Sequence, residues 1–358
     1  MTSEARRPAG RARLPGEWVR WVAENLARGI AAERLAASLA ESGVEPVAAR
    51  EAVAAVERDP LLASLRRAHE DLDRLESLLE TLDVLDRLGG GYDAVERRDD
   101  LGPDAFFAEY YARNRPVVLT GLMRDWPALE RWTLDHLRDA YGDRTVSVQV
   151  DRRDTPVWDV FLRDHNRTMP LREYVDMVES AGETNAFYMT AADRLLWQPG
   201  LRSLLDDIVV FPGFLDPAEL RRNVSVWFGP AGTVSPLHRD EVNVFLCQVL
   251  GRKRVRLIPS KLVHRLYNRR SFFSEVDLDD PDPERFPRFE GLPRLDVTIE
   301  PGEVLFIPVA WWHHVRSLDV SISVALTNFV RTNDLPIAGF FRRTRERAAR
   351  NGRRAATE

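Results

Sequence analysis

Thr233–Pro259 reads TVSPLHRDEVNVFLCQVLGRKRVRLIP. Val242–Val249 is an apolar block broken only by Asn243 and Gln248, and a Leu250-Gly251 turn leads into a second strand pattern, Arg254–Ile258. Short apolar runs joined by a glycine turn predict paired strands. His238-Arg239-Asp240 stands at the start of this pattern. Along a strand, residues i and i+2 project to the same face, so the imidazole and carboxylate converge on one point. The same spacing at His69-Glu70-Asp71 carries no such meaning. It lies in a helical stretch, where i and i+2 diverge by about 200°.

Further strands are predicted at Pro116–Thr120, Thr145–Val150, Ala186–Thr190, Val224–Phe228, Leu295–Ile299, Val304–Ile307 and Val320–Phe329. Helical signals fall at Phe106–Arg113, Ala128–Tyr141 and Leu171–Ser180. Many short strands late in the chain, linked by PAG, LG and PGE turns, predict a sandwich or jelly-roll barrel with helices packed outside it. Ahead of Gly89-Gly90-Gly91 the chain reads as helical throughout: Trp18–Ala27, Ala31–Glu41, Val47–Val56 and Leu61–Leu88, punctuated by Gly43, Pro46 and Asp59-Pro60. The fold class is therefore α+β. A disordered stretch (residues 1–14) precedes a helical N-terminal domain (residues 15–90). In the last helix Leu65, Leu72 and Leu79 recur every seven residues, with Ala68, Leu75 and Leu82 between them. That seam fits packing within the helical domain, or a homodimer or partner contact. The segment 333–358, containing RRTRERAARNGRR, reads as a basic tail or terminal helix.

Bulk composition narrows the function. The 358 residues carry 51 basic and 56 acidic side chains, a net charge of −5, which gives no pull toward nucleic acid. Cys247 is the only cysteine, so an internal disulfide and a multi-cysteine zinc site are excluded. No apolar run is long enough for a membrane span and no signal peptide is visible, so a cytoplasmic location is expected. Lysine is scarce, occurring only at Lys253 and Lys261.

A second histidine source lies in EPGEVLFIPVAWWHHV, Glu300–Val315. Here a PGE turn starts an apolar strand that delivers His313 and His314. Adjacent strand residues face opposite ways, so only one of the two can join His238 and Asp240. Two imidazoles and one carboxylate would make the facial triad of non-haem iron(II) oxygenases, leaving coordination positions open.

Taken together, TVSPLHRDEVNVFLCQVLGRKRVRLIP, EVDLDDPDPERFPRF (Glu275–Phe289), PGEVLFIPVAWWHHV and SISVALTNF (Ser321–Phe329) resemble the cupin-like JmjC hydroxylases. RPVVLTGLMRDWPALERWTLDHL (Arg115–Leu137) matches the start of that domain, and the likeness spans roughly residues 100–332. In pattern the chain is similar to the family's asparaginyl hydroxylase that acts on hypoxia-inducible factor. The resemblance implies a double-stranded β-helix core, iron(II) on His238, Asp240 and His313, and His314 facing away. It also implies 2-oxoglutarate as co-substrate, its distal carboxylate on Lys253, with Tyr188, Ser235 and Asn328 as further pocket contacts. A dianion buried in a barrel needs a cationic partner, which fits a lysine there. Relatives often place an asparagine six residues after the first histidine, where this chain has Val244. Strand alternation puts Asn243 on the opposite face, so it is not expected at the co-substrate.

The implied chemistry is a dioxygenase reaction consuming dioxygen and hydroxylating a C–H bond, most simply in a protein or peptide side chain. A small-molecule oxygenase and a catalytically silent, partner-binding cupin module are the competing readings. The segment Asn268–Gly291, charged and proline-rich, is a candidate rim over the site.

Overall fold

The computed structural model describes residues 14–89, 94–152, 165–268 and 272–339. The chain divides between Leu85 and Asp86 into two compact units.

The first unit holds α1 (Gly16–Ala27), α2 (Ala32–Glu41), α3 (Pro46–Glu57) and most of α4 (Pro60–Leu88). Glycines at positive φ follow the first two helices, Gly29 at 81° and Gly43 at 95°, a conformation that costs a side-chain-bearing residue. Pro46 opens α3, where the Glu45 carboxylate accepts from the amides of Val47 (3.0 Å) and Ala48 (2.7 Å). Asp59 accepts from the Leu61 amide at 2.9 Å at the start of α4. Val22, Leu26, Leu35, Leu39, Val53 and Leu62 form the unit's core.

In the second unit, β1 (Glu96–Asp99) and β2 (Val117–Thr120) flank α5 (Pro103–Phe106) and a π-helical turn, Phe107–Tyr111. Next come α6 (Ala128–Arg131), α7 (Leu134–Tyr141), the β3–β4 hairpin (Thr145–Gln149 and Asn166–Pro170) and α8 (Leu171–Ser180). Eight strands follow: β5 (Val224–Gly229), β6 (Val234–Arg239), β7 (Val244–Leu250), β8 (Lys253–Ile258), β9 (Leu295–Ile299), β10 (Val304–Ile307), β11 (Trp312–Ser317) and β12 (Ser321–Leu326).

Those eight divide equally between two sheets, alternating except that β8 and β9 are neighbours in the same one. One is ordered β1-β2-β10-β7-β12-β5 and the other β6-β11-β8-β9. Their facing sides bury Val244, Leu246, Val255, Leu257, Val297 and Leu305 in one apolar layer. This is the double-stranded β-helix expected from the sequence. A larger core packs the helices on the six-stranded sheet through Phe106, Tyr174, Phe228, Phe245 and Phe306. Phe245 alternates with Leu246 on β7, which is why β7 reads as an apolar run interrupted only by Gln248: it is buried on both faces.

Several expectations shift. Ala128–Tyr141 is two helices, because Trp132 and Thr133 break it and the Thr133 hydroxyl caps α7. Ala186–Thr190 forms no extended strand, only single bridges from Tyr188 to Gln149 and from Met189 to Phe228. β1 and β4 were not expected as strands; β1 reads ERRD and β4 NRTMP, without an apolar period. The His-x-Asp motif ends β6 rather than starting β7: Asp240 lies just past its last residue, Arg239. The segment after Asn268 divides too. Phe273 bridges to His238, whereas Val276, Leu278, Phe286 and Phe289 are buried beside Leu237, Ile258 and Trp312 in a separate cluster. Much of the expected rim is thus packing material; Arg269, Arg270 and Ser271 lie outside the described residues.

Candidate metal centre

β6 and β11 run antiparallel, and their register sets His238 directly opposite His313. Ser235 and His238 are three positions apart on β6, but Val315 and His313 only two apart on β11, so the register slips by one between the pairs. The extra residue falls around Pro236, which has no amide hydrogen to lose from the ladder. The bulge decides the site's layout. Ser235 and His238 are an odd number apart, yet both line the same cavity. Past the strand end, the Ala310 amide donates to the Asp240 carbonyl at 3.1 Å, tying the turn before β11 to the carboxylate residue. Ala310 turns with φ at 65°.

The three side chains converge. Their donor atoms lie within 4.8 Å of one another. The imidazole centroids are 4.1 Å apart, and His313 Nε2 sits 3.6 Å from Asp240 Oδ2. Each histidine has Nδ1 against a backbone carbonyl: His238 on Pro236 at 2.7 Å and His313 on Trp311 at 3.1 Å. A carbonyl only accepts, so each Nδ1 carries the proton and each Nε2 keeps its lone pair for the centre. Burial, with His238 adjacent, lowers the His313 pKa to about 4 and keeps it neutral. Two imidazole donors and a carboxylate, held by backbone and open toward a cavity, suit a divalent first-row metal. His314 points the other way: its Nδ1 is 3.1 Å from Arg256 and its Nε2 3.5 Å from Asp279.

The cavity in front of the triad has a volume of about 280 Å³. Lys253 and Tyr188 line it, and Lys253 Nζ donates to Tyr188 Oη at 3.1 Å. Lys253 is 1% exposed, and among the described residues no carboxylate pairs with it. Burial lowers its pKa to about 7. A buried ammonium without a counter-ion is costly unless an anion arrives. The Arg152 guanidinium stands 5.2 Å over the Tyr188 ring, adding positive charge behind that wall. Gly229 makes room for the ring: a Cβ there would fall 2.6 Å from Tyr188 Cδ2.

Six of the seven site residues expected from the sequence therefore meet at one cavity: His238, Asp240, His313, Lys253, Tyr188 and Ser235. Asn328 does not. Ala325 and Thr327 line the cavity, so the next residue turns away, and Asn328 instead donates to the Asp216 carbonyl at 2.7 Å. Thr327 is the residue missed; counting alternate positions from Ala325 would have found it. Arg222, Asn223 and Trp227 also line the cavity without having been singled out. Asn243 lies on the far face, as alternation requires. Its Oδ1 accepts from the Val309 amide at 2.8 Å and its Nδ2 donates to Asn333 at 2.9 Å.

The cupin-like domain family matches residues 103–331. The chain belongs to that family. Its relatives include lysine-specific demethylase 8 of Xenopus tropicalis, 35% identical over 62% of this chain and 49% of the relative. The lysine-specific demethylase JMJ30 of Arabidopsis thaliana is 36% identical over 64% of this chain and 54% of its own length. The human bifunctional peptidase and (3S)-lysyl hydroxylase JMJD7 is 26% identical, over 62% and 79% respectively. The chain thus spans about half the length of the two demethylase relatives. These names place the cupin-like chain among JmjC proteins, which use iron(II) and 2-oxoglutarate, and give no specific support to the narrower likeness to the asparaginyl hydroxylase. No described helix is long and apolar enough to cross a membrane.

Proposed function

We propose that this chain is an iron(II)- and 2-oxoglutarate-dependent dioxygenase that hydroxylates a C–H bond in a protein or peptide side chain. His238, Asp240 and His313 are its iron ligands, and Lys253 pairs with the distal carboxylate of 2-oxoglutarate. The observation that carries this reading is the buried, carboxylate-free Lys253 in the same cavity as three convergent donors. A metal site alone fits many proteins; a metal site sharing a cavity with a buried cation fits a chelating dianion.

Iron with 2-oxoglutarate and dioxygen supplies the oxidising power, the co-substrate leaving as succinate and carbon dioxide. The chain's own work is positional. The Pro236 and Trp311 carbonyls hold the two imidazoles in the ligating tautomer. Lys253 and the Tyr188 hydroxyl give the distal carboxylate a cation and a donor, and Ser235 adds a hydroxyl on the wall nearest His238. Val242, Val244, Leu246 and Ile307 make the intervening wall apolar, which keeps water from the reacting centre. Two relatives are named as lysine demethylases and one as a lysyl hydroxylase, which favours a protein side chain as substrate.

The test is to incubate the full chain with iron(II), 2-oxoglutarate and peptide fractions and to follow succinate together with peptide mass. Succinate formation with the mass gain of one oxygen atom on a peptide is the expected result. Absence of 2-oxoglutarate binding to the iron-loaded protein would remove the reading altogether.

A further inference from the structure

Behind the wall that carries Lys253 and Tyr188 lies a second buried cation, Arg152. It stands past the end of β3 and is 1% exposed. Its guanidinium is anchored on two segments of the site. One amino group donates to Gln149 Oε1, and the other donates at 2.8 Å to the carbonyl of Val234, the residue before Ser235 of the cavity lining. The backbone completes the frame. The Arg152 amide donates to the Ala186 carbonyl at 3.1 Å, and Gln149 and Tyr188 exchange amide-to-carbonyl bonds of 3.0 and 2.9 Å. Tyr188 is thereby fixed at its main chain, and the Arg152 guanidinium carbon lies 5.2 Å from the centroid of its ring.

That placement has an electrostatic consequence. A cation over an aromatic face is attracted to the ring's electrons and polarises them, and a phenol polarised in this way is a stronger hydrogen-bond donor. Arginine can hold such a charge in the interior, because it stays protonated where burial lowers the Lys253 pKa to about 7. The wall thus pairs a permanent cation with one that titrates. Burial raises the pKa of Asp193 in the same network, while the Thr190 amide and hydroxyl, Ser147 and Arg152 favour its ionised form. That carboxylate offsets the cost of burying the guanidinium, and it is not part of the cavity lining.

We propose that Arg152 is a positioning residue for the co-substrate: it fixes the Tyr188 hydroxyl, and strengthens it as a donor, at the subsite that takes the distal carboxylate of 2-oxoglutarate. The inference rests on the proposed 2-oxoglutarate dependence, and assigns no contact between Arg152 and the co-substrate itself.

Two ligands separate this role from general support of the site. 2-Oxoglutarate and 2-oxobutyrate offer iron the same chelating keto acid, but only the first has a distal carboxylate. Each is titrated anaerobically into the full chain loaded with iron(II), and binding is read from the visible absorption of the keto-acid chelate, without turnover. Arg152→Gln should weaken 2-oxoglutarate on the order of tenfold and leave 2-oxobutyrate within about twofold. Arg152→Lys, which keeps a cation beside the ring, should lie closer to wild type than to Arg152→Gln. In a Tyr188→Phe background the ring stays but the hydroxyl is gone, so Arg152→Gln should then cost less than about twofold. Equal losses for both ligands would mean that Arg152 only supports the fold, and would overturn the proposal. So would wild-type affinity for 2-oxoglutarate in Arg152→Gln, no recovery in Arg152→Lys, or an undiminished loss in the Tyr188→Phe background. Wild-type protein that binds no 2-oxoglutarate would overturn the co-substrate reading and this inference with it, an outcome distinct from wild-type binding that Arg152→Gln leaves unchanged.

Discussion

His238 and His313 are direct cross-strand partners on β6 and β11, their imidazole centroids 4.1 Å apart. That pairing places two nitrogen donors on one wall, and Asp240 adds a carboxylate from just beyond the strand end. Removing any one leaves two donors, too few for a stable open site. His238→Ala, Asp240→Ala and His313→Ala should each cut bound iron(II) from about one per chain to near none, measured on anaerobic protein. His314→Gln should keep the metal, because His314 faces Asp279 and Arg256 on the other side of the sheet. Metal loss in the His314→Gln variant alone would reassign the third ligand.

Lys253 separates co-substrate binding from metal binding. Replacing it with methionine removes the buried ammonium and preserves most of the volume. A charge-assisted contact of this kind is worth roughly 1.5–3 kcal/mol, so 2-oxoglutarate affinity should fall on the order of 10- to 100-fold. Iron affinity should not change. The ligand-free Lys253→Met protein should melt no lower than wild type, since a buried amine that burial strips of its proton has been exchanged for apolar packing. An unchanged dissociation constant would take Lys253 out of the pocket.

The same lysine sets a pH signature. Burial holds its pKa at about 7, against the usual 10.5. Between those values the unfolded chain binds the proton and the folded chain does not, so this residue makes stability fall as pH drops from 10.5 toward 7. A bound carboxylate favours the charged form and reverses the shift. At pH 8 about 0.9 of the lysines are neutral before binding, so 2-oxoglutarate should bring nearly one proton with it. Calorimetry in two buffers of different ionisation enthalpy reads this uptake directly. The Lys253→Met variant should show none, and a wild-type binding heat independent of buffer would refute the linkage.

Most of this site was legible because strand alternation is a strict rule wherever both faces are buried. It linked His238 to Asp240, excluded Asn243 and allowed only one of His313 and His314. The rule's exception had one sequence signal. The extra residue around Pro236 lets Ser235 share a cavity with His238, and that proline is the sign, since strands admit proline only at edges, first positions and bulges. Asn328, implied by the resemblance alone, lies off the cavity for the opposite reason: alternation from Ala325 selects Thr327. β1 and β4 escaped notice because strands paired on only one edge, with three of four and four of five residues exposed, carry no apolar period.

Asn243 supplies a structural prediction distinct from chemistry. It is 1% exposed and holds three segments together: its amide nitrogen and Nδ2 both donate to Asn333 Oδ1, its carbonyl accepts from Asn333 Nδ2, and its Oδ1 accepts from the Val309 amide. Val309 immediately precedes the Ala310 turn that hydrogen-bonds Asp240. Asn243→Ala leaves the buried Val309 amide without its acceptor and removes the Nδ2 bond to Asn333, while the backbone of residue 243 keeps its two bonds to that side chain; the loss costs about 2 kcal/mol. The expected outcome is a lower midpoint in urea, with 2-oxoglutarate affinity at saturating iron within about twofold of wild type. A selective collapse of 2-oxoglutarate binding at unchanged stability would mean that Asn243 reaches the co-substrate after all, and that the cavity wall is read one residue out of register.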